Sequence, residues 1–213
     1  METSFWLNKW QTQEIGFHEP AGNQLLVHYF SALNLALASR VFIPLCGKTR
    51  DIAWLLEKGY RVVGAELSEL AITQLFSELG VEPKIQCIGE LKHYSADNID
   101  IYVGDIFNLS PDILGPVDAI YDRAALVALP PKIRQQYTAH LRAISANASQ
   151  LLICFAYDQN LLDGPPFSID SNEVSIHYST SYDIHLLAST ELAGGLKGKI
   201  AAKEQAWLLE KKR

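Results

Sequence analysis

Long apolar runs and a glycine-rich turn are missing from this chain of 213 residues, and clustered basic residues are missing outside its last three positions. Without an apolar run of bilayer length, no membrane-spanning helix is expected. The opening METSFWLNKW has no basic-then-apolar leader pattern. The one basic block is Lys211-Lys212-Arg213, and a net charge of -6 offers little to a polyanion, which sets DNA and RNA aside as partners. Cysteine is scarce: Cys46, Cys87 and Cys154 are scattered and odd in number, which argues against a disulfide framework and for a reducing compartment, the cytoplasm. Cys46 and Cys154 fall in or beside apolar runs and read as small hydrophobes rather than reactive thiols. There is no internal repeat, and no metal is expected. What the chain does have is 48% hydrophobic residues, enough for one sizeable core, so a single domain over 1–213, working as a monomer, is expected.

The chain is organised around residues 41–68. Val41, Phe42 and Ile43 read as a buried strand and Pro44-Leu45-Cys46-Gly47 as the turn leaving it. Ile52, Ala53, Leu55 and Leu56 then mark one face of a helix that Gly59 stops. Arg61 to Ala65 is a second β-branched run with Glu66 at its carboxyl end. Such a βαβ unit opens a cleft at its strand ends, where a nucleoside lies over the first turn and an acid after the second strand takes the ribose hydroxyls. Glu66 stands about twenty residues beyond the turn, the spacing this role asks for. Gly47 is a single glycine where the GxGxxG fingerprint has three. That counts against a pyrophosphate, and so against a nicotinamide-dependent reductase, but not against a nucleoside with no phosphate to cradle. Gly47-Lys48-Thr49 has the ending of a phosphate loop, yet the loop's first glycine would fall on Phe42, so that reading is set aside.

Around this unit, residues 4–11 are expected as a short amphipathic helix capped by Ser4, with Trp6 docking it and Trp10 placed as a cover over a ligand. Gln13 to Asn23 is irregular and brings Phe17 and His18 into a loop, where such folds close over ligands. Gln24 to Leu37 reads as a helix with Leu25, Leu26, Tyr29, Phe30, Leu33 and Leu37 on its apolar face. Ser68 caps a further helix that Gly80 ends, and residues 81–99 have room for a small edge hairpin. Strands are expected at 99–103, 117–121 and 150–157, the last being the most apolar and therefore placed centrally. Asp105, after the first of these, suits either an adenine amino group, with Ile106 against the ring, or an ordinary cap. Asp122 and Arg123 form a charged pair at the end of the second, at the cleft edge. Pro130-Pro131 opens a helix to about Ser145, with Ile133, Tyr137, Leu141 and Ile144 inward. The stiff Gly164-Pro165-Pro166-Phe167 loop is expected to hold Phe167 as a substrate wall. A short helix or turn over 173–178 and strands over 182–189 and 204–209 close the chain.

Four segments, FWLNKWQTQEIGFH (5–18), VFIPLCGKTRDIAWLLEKGYRVVGAELSELAI (41–72), DAIYDRAALVALPP (118–131) and YDQNLLDGPPFSI (157–169), together resemble the thiopurine S-methyltransferase family over nearly the whole chain. The resemblance implies an α/β fold of the class I methyltransferase type. This is Rossmann-like, a three-layer α/β/α sandwich around a mostly parallel seven-stranded sheet, with residues 1–38 as an N-terminal helical cap over the cofactor cleft. It implies methyl transfer from S-adenosyl-L-methionine to the sulfur of aromatic and heterocyclic thiols such as 6-mercaptopurine. Carried over residue by residue, it implies cofactor contacts at Trp10, Leu45, Glu66, Asp105, Ile106 and Arg123, and places Phe17 and His18 near the ligand. Residues 171–203 depart most from the family: Lys197, Lys199 and Lys203 stand in a region where an arginine is associated with the thiol. Arg123 and Asp122 are the catalytic candidates, the first to orient the acceptor and the second as a base if burial raises its pKa. A methyltransferase of another small acceptor, a carboxylate, amine or metalloid oxyanion, shares the cofactor half of this pattern, and a non-catalytic protein keeping the cleft shares all of it.

Overall fold

The structure, a computed structural model, describes residues 3–212. Met1, Glu2 and Arg213, which end the expected domain and the terminal basic block, lie outside them. Two helices precede the first strand. α1 (Thr3–Gln11) buries Trp10, and α2 (Gln24–Tyr29) is capped by Asn23, whose side-chain oxygen accepts the N–H groups of Leu25 and Leu26. The expected run to Leu37 is shorter: a single tight turn over Phe30–Leu33 follows α2, and Asn34 then adopts left-handed backbone (φ 49°). Asparagine tolerates that conformation and the helix ends on it, so Leu37 is left 79% exposed rather than on the apolar face.

β1 (Arg40–Pro44) and β2 (Arg61–Glu66) flank α3 (Asp51–Glu57), and α4 (Glu69–Leu79) follows, capped by the Ser68 hydroxyl and ended by Gly80 at φ 68°. β3 (Lys84–Ile88) and β4 (Leu91–Ala96) form the edge hairpin, and β5 (Ile99–Val103) returns to the sheet. A short α5 (Pro111–Leu114) leads to β6 (Ala119–Arg123), which is followed by α6 (Pro131–Ile144) and β7 (Ser149–Ala156). α7 (Ser171–Tyr178), β8 (Tyr182–Glu191) and β9 (Lys203–Lys211) complete the chain. The sheet order is β3-β4-β5-β2-β1-β6-β7-β9-β8. Nine strands thus replace the expected seven, the additional pair being the polar hairpin on the β5 edge. The middle place belongs to β1; β7 lies inside the sheet between β6 and β9, not at its centre.

Alternation along the strands sends side chains into two cores. Phe42, Val63, Ile120 and Leu152 pack on one face with Tyr137 and Leu141 of α6 and Val174 and Tyr178 of α7. Val41, Ile43, Val62, Tyr121 and Ile153 pack on the other with Leu26, Ile52, Leu55, Ile72 and Phe76. Each such side chain contributes about 1.5–3 kcal/mol by leaving water, which is why helices as short as α2 and α3 persist against the sheet. No helix among the described residues is long and apolar enough to cross a membrane.

Gly64, in mid-β2 between Ile43 and Ile101, lets the turn after β1 lie down on the strand. A Cβ there would come within 2.6 Å of Ile101 Cδ1 and 2.8 Å of Cys46 Sγ. Gly64→Ala is expected to lower unfolding free energy by about 1–3 kcal/mol through overpacking. Urea denaturation checks this, and an unchanged midpoint would show that the two side chains yield freely.

Candidate functional site

The parallel strands β5, β2, β1, β6 and β7 end on one edge of the sheet, and a cavity of about 930 Å³ opens there. The turn leaving β1 forms its floor. Leu45 (φ 46°) and Gly47 (φ 52°) both take left-handed backbone, which costs a leucine roughly 1–2 kcal/mol and a glycine nothing comparable. Gly47 is also required for space: a Cβ would meet the Trp10 ring at 2.9 Å. Its N–H donates to Glu66 Oε2 at 2.8 Å, while the Ser68 N–H donates to Oε1 at 2.8 Å. Glu66 is buried and makes no ion pair among the described residues. Burial raises its pKa above the usual carboxylate value, against the opposing pull of the N–H groups of Ser68, Gly47 and Leu67.

At the end of β5, Ile106 is buried and lines the cavity. Asp105 is exposed at its rim, and Oδ1 accepts the Phe107 N–H at 3.0 Å, so the side chain does serve as a cap. At the end of β6 the alternation separates neighbours. Tyr121 and Arg123 line the cavity; Asp122 turns to the opposite core, where it is fully buried, with the Tyr137 hydroxyl donating to Oδ2 at 2.7 Å and the Leu126 N–H to Oδ1 at 3.2 Å. Burial does push its pKa up to about 6, but the carboxylate does not line the cavity. The expectation of Asp122 as a base at the cleft edge is therefore corrected. Nor does it pair with Arg123, whose Nη1 donates to the Phe17 carbonyl at 3.0 Å and whose Nη2 forms an ion pair with Glu19.

Those bonds hold the loop before α2 against the strand ends. Phe17 and His18 both line the cavity, the Phe17 ring lying edge-on to Trp6 (5.8 Å) and Trp10 (5.4 Å). Loss of solvent, and then the charge of Lys48, lower the His18 pKa. On the far side Gly164, Pro165 and Pro166 form the wall. Phe167 does not, which is a second correction. Its N–H is held by the Val127 carbonyl at 2.7 Å, and its ring folds back over Gly164 with the Arg134 guanidinium 5.4 Å from the ring centre. From the β8–β9 connection, Leu192, Leu196 and Lys197 close the cavity, with Lys197 Nζ donating to the Pro165 carbonyl at 2.9 Å. Lys203 is occupied elsewhere, 3.6 Å from Glu191.

One group of side chains lies outside the sequence reading. Asp51, 1% exposed at the start of α3, lines the cavity; its Oδ1 accepts the Asn23 N–H at 2.8 Å and its Oδ2 the Tyr121 hydroxyl at 2.9 Å. The Asn23 amide reaches Glu19 at 3.2 Å and Glu204 at 3.1 Å. The only signal for Asp51 in the sequence is an acid in the first turn of a helix, which dipole and capping arguments explain on their own. No cluster of His, Cys, Asp or Glu able to hold a metal occurs among the described residues.

The family model for thiopurine S-methyltransferase matches residues 1–212. The chain belongs to the thiopurine S-methyltransferase family. A thiopurine S-methyltransferase of Xanthobacter autotrophicus is 53% identical over 212 residues, covering 99% of this chain and 100% of its own. One from Teredinibacter turnerae is 50% identical over 211 residues, covering 99% and 98%. Among solved structures, the 1,6-didemethyltoxoflavin-N1-methyltransferase of Burkholderia thailandensis, with 1,6-didemethyltoxoflavin and S-adenosylhomocysteine bound, superposes with a TM-score of 0.67 over 99% of this chain and 87% of its own. A SAM-dependent methyltransferase from Anabaena variabilis gives 0.66 over 99% and 95%. Both are 15% identical to this chain and speak for the fold alone, which is the class I methyltransferase fold.

Asp122 makes the pH dependence of stability readable. With a native pKa of about 6 against an unfolded value near 3.9, the folded state holds the extra proton between those values. Its contribution is therefore fully present below about pH 4 and is lost as pH rises through about 6, an effect on the order of 3 kcal/mol. Asp122→Asn is expected to flatten this fall, measured as unfolding free energy at a series of pH values. A variant that keeps the wild-type slope would assign the effect to another group.

Proposed function

We propose that the protein is an S-adenosyl-L-methionine-dependent S-methyltransferase acting on aromatic and heterocyclic thiols, 6-mercaptopurine among them. The observation that carries the reading is Glu66: a buried carboxylate aimed into the cavity, fixed by two backbone N–H groups and left without a cation. Ribose hydroxyls would fill its remaining acceptor positions without changing its charge. The rest of the cavity fits the same ligand. Ile106, with Asp105 at the rim, offers an adenine an apolar surface, Leu45 and Trp10 enclose the sugar and sulfur, and Arg123 stands at the β6 end. When bound, the cofactor supplies an electrophilic methyl on a cationic sulfur.

The protein's part in the transfer is alignment and exclusion of water. An acidic thiol arrives as its thiolate, so no strong base is needed, and with Asp122 outside the cavity none is assigned. Phe17, Val127, Leu129, Ile133 and the two prolines give the acceptor a mostly apolar chamber in which a soft sulfur anion is poorly hydrated and therefore reactive. Phe17 and His18 are kept as acceptor-side residues. Arg123, already committed to Phe17 and Glu19, keeps the chamber closed and leaves guanidinium edges to orient the acceptor. α1 and the loop after it act as the cap. We place the enzyme in the cytoplasm as a single-domain monomer, in keeping with its three free cysteines, one of them exposed.

Calorimetric titration with S-adenosylhomocysteine and a radiolabelled methyl-transfer assay on 6-mercaptopurine test this directly. Glu66→Ala is expected to weaken binding by at least about tenfold, as loss of hydrogen bonds to a charged group entails. Binding without label on sulfur would discard the thiol; no binding by the wild type would discard the cofactor. Arg123→Ala is expected to lower kcat/KM about 10- to 100-fold while far-ultraviolet circular dichroism stays native. Collapse of the spectrum would make the Arg123–Glu19 pair a folding element instead.

A further inference from the structure

Two buried carboxylates line the cavity without a cation, and only one of them has been used. Glu66 has backbone N–H groups for each oxygen. Asp51 has the Asn23 N–H on one and the Tyr121 hydroxyl on the other, and no Lys, Arg or His forms an ion pair with it among the described residues. The cations that line the same cavity are engaged elsewhere: Lys9 with Glu14, Lys48 with Glu78, Arg123 with Glu19, and Lys197 with the Pro165 carbonyl. Behind Asp51, Asn23 joins it to Glu19, which Arg123 already pairs, and to Glu204, which forms no ion pair among the described residues and whose pKa is raised by burial. A buried carboxylate with hydrogen bonds but no cation gains most from a ligand group that carries positive charge.

We propose that Asp51 holds the α-ammonium of the cofactor's methionyl group, with the Tyr121 hydroxyl and the Asn23 N–H fixing its orientation. This rests on the cofactor reading given above. The order of strand ends supplies the direction. Ile106 lies at β5, Glu66 at β2, the Leu45–Gly47 turn at β1, and Asp51 with Tyr121 at the β6 side of that turn. A nucleoside with its adenine at β5 and ribose at β2 must send its amino-acid tail across the turn toward β6. Of the two cationic groups in such a ligand, only the ammonium can donate hydrogen bonds to the free lone pairs of Asp51. It is also the one a fixed carboxylate can stabilise without slowing transfer. A carboxylate against the sulfonium would favour a charge that the reaction discharges, whereas the ammonium is equally charged before and after.

The experiment compares three ligands by calorimetry on wild-type protein and Asp51→Asn: S-adenosylhomocysteine, its deamino analogue S-adenosyl-4-thiobutanoate, and methylthioadenosine, which lacks the whole amino-acid tail. Asparagine can keep both neighbours, accepting from Asn23 and donating to Tyr121. The expected result is a loss of about 10- to 100-fold for S-adenosylhomocysteine and less than about twofold for the other two. An equal loss for all three would make Asp51 a purely structural anchor of the 17–23 loop, and no loss for any would remove it from the site; either overturns the proposal. Failure of the underlying cofactor reading would look different, with wild type binding none of the three. If Asp51→Asn does not fold, a crystal structure of the wild type with S-adenosylhomocysteine decides: the ammonium within hydrogen-bonding distance of Asp51 supports the assignment, and its placement on another group overturns it.

Discussion

The constraint on which the site depends is the pair of N–H bonds closing on the Glu66 carboxylate. Gly47 belongs to the turn after β1 and Ser68 to the entry of α4, so one side chain at the end of β2 fixes both. The turn in turn sets the place of Trp10, which is packed so closely on Gly47 that no Cβ would fit. Trp10 and Trp6 lean on Phe17, whose carbonyl is held by Arg123 from β6. A continuous line of contacts thus runs from a buried acid through a turn and an aromatic plate to a guanidinium two strands away. The left-handed backbone at Leu45, and the matching one at Ala124 (φ 63°) after β6, are tolerable only because that line over-determines both turns.

Three buried acids and a half-buried one, Glu204, show four ways of living with little water. Glu66 is satisfied by peptide N–H groups. Asp122 is satisfied by Tyr137 and Leu126 and drifts toward its neutral form. Glu204 leans on the Asn23 amide. Asp51 shares Asn23 through its backbone and adds a tyrosine hydroxyl. Asp122 points into the core shared with α6 and α7 and does not itself line the cavity. Glu66 and Asp51 line the cavity at the edge where the parallel strands end, the place where ligands lie as a general rule in open α/β sheets.

Much of this was readable in the residues. The strand, turn, helix and acid of 41–66 follow from local pattern, and their spacing carries the nucleoside reading because a cleft at strand ends is a local product of one βαβ unit. The orientation of Asp122 was also within reach: Tyr121 and Arg123 share one side of a strand, so the residue between them belongs to the other. The place of β7 was not. Its apolarity reports burial on both faces, which every interior strand shares, and says nothing of order in the sheet. The early end of α2 hangs on Asn34, whose left-handed conformation a hydrophobic face does not announce. Phe167 was assigned to the wall from the stiffness of its loop, whereas the direction of its ring is decided by Gly164 and Arg134. The Asn23 network was out of reach, since it joins residues 28 and 181 positions apart.

Of the four tryptophans, Trp207 is buried in the core under α6 and α7 and Trp54 packs against Phe30, while Trp6 and Trp10 belong to the cavity wall. Half of the indoles therefore line the cavity assigned to the proposed ligands. Part of the protein's own emission thus arises at that cavity, and a thiopurine, which absorbs where indole emits, would act as an energy acceptor there. Occupancy can be followed in untagged, unlabelled protein, one solution at a time, by the light it already gives off.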